Sequence, residues 1–309
     1  MGEGIGCLTK PDVKSARSLR IPVVIAAAFL VFCAPALPQN TSRNAGLSAG
    51  ELLRRVVNSE LKAQANDHSC WMYRLKAGVP GREEEKVVVQ TRDGYLARLR
   101  LVNGQPITPE QERQEDRRIA NLVHKPDEQK KQQRVQEEDV RKAERLLKTL
   151  PDAVTARYEE RRGDLVEILF EPNPNFHPSS HEAAVFHTMA GRIWVNTRQN
   201  RLAEIEGHLI RHVKFAGGLL GHLDKGGEFH VKQSEAAAGY WEITLLHVNM
   251  HGKALFFKTV AVQENEIRTD FQRVPANMTL AEAAEQLQKR STVKSASAPA
   301  ISRSRRSSY

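Results

Sequence analysis

Eleven histidines among 309 residues invite a metal reading before any other chemistry. His177, His181 and His187 stand at ligand-like intervals, and His208 and His212 lie four apart. The surrounding pattern argues against coordination. In Leu202–Phe215 the even positions Glu204, Glu206, His208 and His212 form a polar face opposite Ala203, Ile205, Leu209 and Val213, which is the alternation of a strand. Residues four apart on a strand are separated by about 13 Å, too far for one ion with bonds of about 2 Å. His181-Glu182 opens like a zincin helix, but Val185 takes the place of the second histidine. Neither a metal nor a cofactor is expected.

Other catalytic signatures are also missing. The chain has no G-x-S-x-G elbow and no phosphate-binding loop, and Gly217-Gly218-Leu219-Leu220-Gly221 lacks dinucleotide spacing. Carboxylates are frequent, yet no pair stands in an apolar setting that would tune a pKa. Cys70 beside Trp71 reads as a small buried apolar group. No enzyme activity is expected.

Aromatic and aliphatic surface on one face of a sheet is what remains. Trp71, Tyr73, Tyr95, Leu99, Leu101, Ile168, Phe170, Ile205, Trp241, Ile243 and Phe256 are the candidates for that face. They either seal an ordinary core or line an apolar cavity under a helix, where acyl chains would fit. Each buried methylene is worth about 0.8 kcal/mol, so ten supply about 8 kcal/mol before ordering costs.

The elements that must position these residues are legible from periodicity. Ser48-Ala49-Gly50-Glu51 is a capping box opening a helix over 48–65, with Leu52, Leu53, Val56, Val57 and Leu61 at helical spacing. Alternation then places Trp71, Tyr73 and Leu75 opposite Met72, Arg74 and Lys76. Val87–Thr91 and Tyr95–Val102 flank Arg92-Asp93-Gly94, a hairpin signal. Tyr95, Ala97, Leu99 and Leu101 are expected on one face, Arg98 and Arg100 on the other. Residues 108–150 are rich in Glu, Gln, Lys and Arg. They open with the capping box Thr108-Pro109-Glu110-Gln111 and are broken at Lys125-Pro126-Asp127, so they read as a charged helical insert, solvated or docking a protein partner. Strands resume at 154–160, 165–171, 185–196, 202–215, 228–234, 240–249, 254–264 and 267–273. The short turns between them, such as 250–253 and 263–266, give a meander. The fold class is mainly β with helices: a curved antiparallel half-barrel of about eleven strands.

Charge is concentrated at the two ends. Residues 1–36 carry a net +2, residues 289–309 a net +6, and the body between them only +1. The basic footprint of a nucleic-acid domain is therefore missing from the body, and no nucleic-acid partner is expected. A basic stretch ending at Arg20, the apolar run from Ile21 to Leu37 and the small residues Ala34-Pro35-Ala36 form the pattern of a secretory signal over 1–36. The chain is expected to be exported, to the periplasm or the periphery of the outer membrane. The Ser, Ala and basic residues of 289–309 read as a disordered tail able to tether to an anionic membrane surface.

The amphipathic first helix, the meander, and the close Asp270-Phe271…Val274-Pro275-Ala276-Asn277 resemble the bacterial superfamily of lipoprotein-sorting chaperones and their outer-membrane receptors. Gly191-Arg192-Ile193-Trp194-Val195-Asn196, followed by Leu202-Ala203-Glu204-Ile205, is similar to the strand, turn and strand at its centre. The resemblance spans about 47–106 and 153–285 within a single domain over 47–288. It implies an eleven-stranded half-barrel closed by helices, and a non-enzymatic carrier whose cavity holds a lipid or the acyl chains of a lipoprotein. The alternative is a structural or interaction protein of the cell envelope, with a sealed β core and a partner-binding insert.

Overall fold

The computed structural model describes residues 46–295 apart from 80, 181, 216–220 and 255–257. The expected signal, most of the basic tail and Phe256 lie outside the described residues. The chain runs α1 (Ala49–Asn66), β1 (Cys70–Val79), β2 (Arg82–Thr91), β3 (Gly94–Val102), β4 (Gln105–Pro106), α2 (Pro109–Val123) and α3 (Pro126–Ala153). It continues through β5 (Val154–Arg162), β6 (Leu165–Pro172), a 3-10 helix (Ala183–Thr188), β7 (Met189–Asn196), β8 (Arg201–Leu209), β9 (Val213–Phe215) and β10 (Gly221–Leu223). The last elements are β11 (Glu228–Ala237), β12 (Tyr240–Ala254), β13 (Lys258–Val274) and α4 (Leu280–Ser295).

Eleven strands form one open antiparallel sheet in the order β4-β3-β2-β1-β13-β12-β11-β8-β7-β6-β5, and β9 and β10 join it through β12. The mainly antiparallel, half-barrel-like class is thus as expected. The sheet is knitted at its middle by β1 pairing with β13, so the last strand binds the first hairpins to the rest.

Two expected turns are strand instead. Residues 250–253 continue β12 and residues 263–266 continue β13. Gly252 was part of the turn signal, but it serves close approach: a Cβ there would sit 2.1 Å from the His222 carbonyl oxygen of β10. The stretch 202–215 breaks after Leu209, and 185–196 begins as a 3-10 helix. In β3 the phase also shifts. A bulge opposite Glu85 and Lys86 puts Leu99 in the row of Leu75 and Lys86, but Leu101 in the row of Lys76 and Glu85. Because consecutive residues of a strand face opposite ways, Leu101 leaves the face expected for it.

The insert is part of the fold as well as a charged surface. Ala143, Leu146, Leu147 and Leu150 of α3 pack in the main core with Leu52, Leu53, Val56 and Val57 of α1. Arg54 of α1 bonds Asp152 at 2.8 Å. Ile119 of α2 is fully buried beside Met72, Val89 and Leu96. Arg98, expected on a polar face, is buried under α2 and bonds Asp116 at 2.6 Å. Beyond the short pairing with β4, α2 covers the open edge of β3: Leu99 donates its N–H to Glu115 at 3.1 Å, and Arg118 donates to the Ala97 carbonyl. A covered edge cannot recruit another strand.

Helix α4 was not expected. Its cap is readable, since Thr279-Leu280-Ala281-Glu282 repeats the pattern found at Ser48. The Thr279 N–H donates to Glu282 at 2.7 Å, and Glu282 returns its own N–H to the Thr279 hydroxyl at 3.3 Å. Leu280, Ala283 and Leu287 bury against β1–β3. Among the described residues no helix is long and apolar enough to cross a membrane.

Candidate functional site

The sheet divides into two halves that treat their apolar residues differently. Over β5–β8 and β11–β12, α1 and α3 lie on the core face. Ile168, Phe170, Ile205 and Ile243 belong to this cluster, each 2% exposed or less. Four of the eleven candidate ligand residues are therefore covered by helices.

Helix α1 is fixed there by a buried ion pair. Glu60 lies on the same stripe as Leu53, Val56 and Val57 and is fully buried. Arg201 at the start of β8 donates to both its carboxylate oxygens, at 2.8 and 2.9 Å, and the Leu202 N–H adds a third bond at 2.7 Å. The Arg201 guanidinium also lies 5.7 Å from the ring centroid of Trp241, which is buried. Gln233 is buried in β11 alongside, with neither side-chain polar atom bonded among the described residues.

The second half, β13-β1-β2-β3, is built on the opposite plan. Its helices α2 and α4 pack on one face, against Cys70, Met72, Val89 and Leu96. The other face carries a cluster made of strand residues alone: Trp71, Tyr73 and Val88, with Leu75, Ala97, Ala236, Tyr240 and Phe271 packed around them. Tyr73 stacks on Phe271 with ring centroids 5.3 Å apart, and Trp71 meets Tyr240 edge-on at 5.9 Å. Tyr95 is 52% exposed and Leu99 half-buried, and by strand register both share this face with Ala97. Asp270 adopts a φ of +57° within a bulge of β13, where Asp270 and Phe271 stand opposite Tyr73 alone, and Arg74 bonds it at 2.9 Å. That kink sits next to Phe271.

Charged groups border these rings. The Arg268 guanidinium lies 5.7 Å from the Tyr73 ring and Arg273 lies 4.6 Å from Tyr240, cation–π distances that favour a partly desolvated cation. Arg268 bonds Glu266 at 2.6 Å. Burial pushes the Tyr73 hydroxyl up to about 12. Burial pushes the Glu242 carboxyl up to about 8, against the pull of Arg268 and Arg201. Glu242 Oε1 is buried without a bonding partner among the described residues. Glu264 rises to about 7 through burial and the charge of Glu266.

The expectation concerns carboxylate pairs in an apolar setting and does not single out Glu242, a lone buried acid. Its signal lies in the sequence Trp241-Glu242-Ile243. Glu60 was equally readable, as an acid on the apolar stripe of α1. Phe271 and Tyr240 are absent from the aromatic face expected from the sequence because their ring partners are distant in the chain. Cys70 is buried, as expected, and burial pushes its thiol up. In this half the aromatic rings are bordered by the guanidinium groups of Arg268 and Arg273, and by two carboxyls raised by burial. Compared with models of known protein families, with characterised proteins and with solved structures, this chain shows no match.

Proposed function

We propose that this protein is a non-enzymatic carrier or binding protein of the lipoprotein-sorting type, exported to the cell envelope, holding acyl chains against the open half of its sheet. The observation that carries this reading is the strand-only aromatic cluster around Tyr73, whose rim grades from buried Trp71 to Tyr95 at 52% exposure. A graded apolar surface next to Arg268 and Arg273 suits a ligand with an apolar tail and an anionic head. Under this reading the ligand residues are Trp71, Tyr73, Tyr95 and Leu99, joined by Phe271 and Tyr240, while Ile168, Phe170, Ile205 and Ile243 serve the core. The basic residues of 289–309 then supply the affinity for an anionic membrane surface.

A second reading rests on one specific observation, the burial of the core residues that α1 and α3 cover. It makes the molecule a sealed interaction protein whose charged helices α2 and α3 meet a protein partner.

The deciding experiment is native mass spectrometry of protein purified without detergent, together with uptake of a fluorescent fatty acid. The carrier reading expects a bound acylated species, and loss of uptake in Phe271→Asp with the fold retained by circular dichroism. Unchanged uptake in a folded Phe271→Asp, or a clean apo mass with no uptake at all, leaves the sealed interaction protein.

A further inference from the structure

Spacing along one strand excludes the histidines as shared ligands, but pairing between strands brings other donors together. Glu204 and Glu206 of β8 face away from the core, opposite Ile205. His230 of β11 is paired with Glu206, and Lys232 with Glu204. His230 Nε2 lies 2.6 Å from Glu204 Oε1. One ligand atom from each of Glu204, Glu206 and His230 lies within 4.8 Å of the other two.

We propose that Glu204, Glu206 and His230 form a binding site for a first-row divalent cation such as Zn2+. One imidazole and two carboxylates are a donor set that Zn2+ accepts at bonds of about 2.0–2.2 Å. Tetrahedral bonds of that length set ligand atoms about 3.5 Å apart, which small side-chain rotations supply from the present positions. The three side chains are 23%, 31% and 32% exposed, so water can complete the coordination.

The neighbouring charges fit a cation that enters by displacement. Arg192 bonds Glu206 and lies 3.6 Å from the buried Glu167. Lys232 lies 3.6 Å from Glu204. Three carboxylates against these two cations leave a net negative site, and Arg192 can turn wholly to Glu167 when the ion binds Glu206. His247 is paired with His230 on β12, next in line as a fourth donor.

A separate histidine pair must be controlled for. Asp224 lies 3.5 Å from His212 Nδ1 and 3.3 Å from His222 Nε2. The test is calorimetric titration of the full chain with ZnCl2 in a non-coordinating buffer, with Co2+ absorption as a second readout. The expected result is one Zn2+ per chain, weakened about tenfold or more by His230→Ala and by Glu204→Gln. Arg192→Met tightens binding by removing the competitor, and the double change His212→Ala with His222→Ala leaves it intact. Glu204→Gln keeps a hydrogen-bonding partner for His230 and decides the matter if His230→Ala melts early. An isotherm unchanged in Glu204→Gln, or binding lost only in the His212/His222 double variant, overturns the site.

Discussion

The half of the sheet under α1 and the half around Tyr73 belong to one continuous antiparallel sheet, yet they reach opposite solutions. Under α1, a helix supplies Leu52, Leu53, Val56 and Val57, and the strand positions packed against it are mostly apolar, with Arg201 ion-paired to Glu60. Around Tyr73 the helices have gone to the other face, and the strands bury their aromatic residues against one another. Their rim is left to Arg268, Arg273 and water. A helix-covered face is uniform and dry, so it serves stability. A face closed only by its own rings and guanidinium groups is cheaper to open, and that is the property a binding surface needs. Under the carrier reading, the division gives architecture to one half and recognition to the other.

The sharpest way to break the comparison is to remove the anchor of the covered half. Glu60→Leu leaves Arg201 charged and buried without its carboxylate, which costs about 3–5 kcal/mol. Urea unfolding should show the unfolding free energy falling by that amount, with a correspondingly lower midpoint. The double change Glu60→Leu with Arg201→Met should recover most of the loss, because no unpaired charge remains. A Glu60→Leu protein with wild-type stability would mean that α1 is not held by this pair, and the two halves would then differ less than their packing indicates.

The second test acts on the open half through pH. Glu242 and Glu264 have folded values raised to about 8 and about 7, from an ordinary 4.5. Below the ordinary value both folded and unfolded chains hold the protons, so neither group affects stability. As pH rises from there towards 8, the unfolded chain releases its protons first and stability falls, by up to about 1.4 kcal/mol per pH unit for each fully buried group. The half-buried Glu264 contributes less than Glu242. Glu242→Gln should flatten this decline between pH 5 and pH 8 in urea melts and stabilise the protein at the upper end. A slope identical to wild type would show that water reaches Glu242, making the open half wetter than its burial implies.

What was legible in the sequence follows the same division. Local signals identified the Ser48 and Thr108 caps, the hairpin at Arg92-Asp93-Gly94 and the breaks of the insert, although the equally local Thr279 cap was not used. They failed where the deciding contact is long-range. Gly252 carries a turn residue's identity, but the oxygen it must clear belongs to His222. Leu101 follows the alternation of β3 until a bulge removes it. Arg98 has a charged residue's identity, yet Asp116 of α2 makes its burial tolerable. The aromatic face was partly readable, because Trp71 and Tyr73 alternate. Phe271 and Tyr240 were not, because β13 and β12 come beside β1 only through the long-range pairing of β1 with β13.

The smallest effect discriminates between the helices themselves. Ser48→Ala and Thr279→Ala each remove one N-cap, and each should cost about 1 kcal/mol, so global melts will hardly separate them. Amide exchange will. Loss of the Ser48 cap frays α1, and the protection lost should fall on β5 and β8, which it touches. Loss of the Thr279 cap frays α4, whose Leu280, Ala283 and Leu287 support Met72 and Val89 from the far side, so the loss should fall on β1 and β2 behind the aromatic cluster. If either variant loosens both sets of strands equally, the two halves open as one unit. Ligand entry at Tyr73 would then require the α1 side to yield as well.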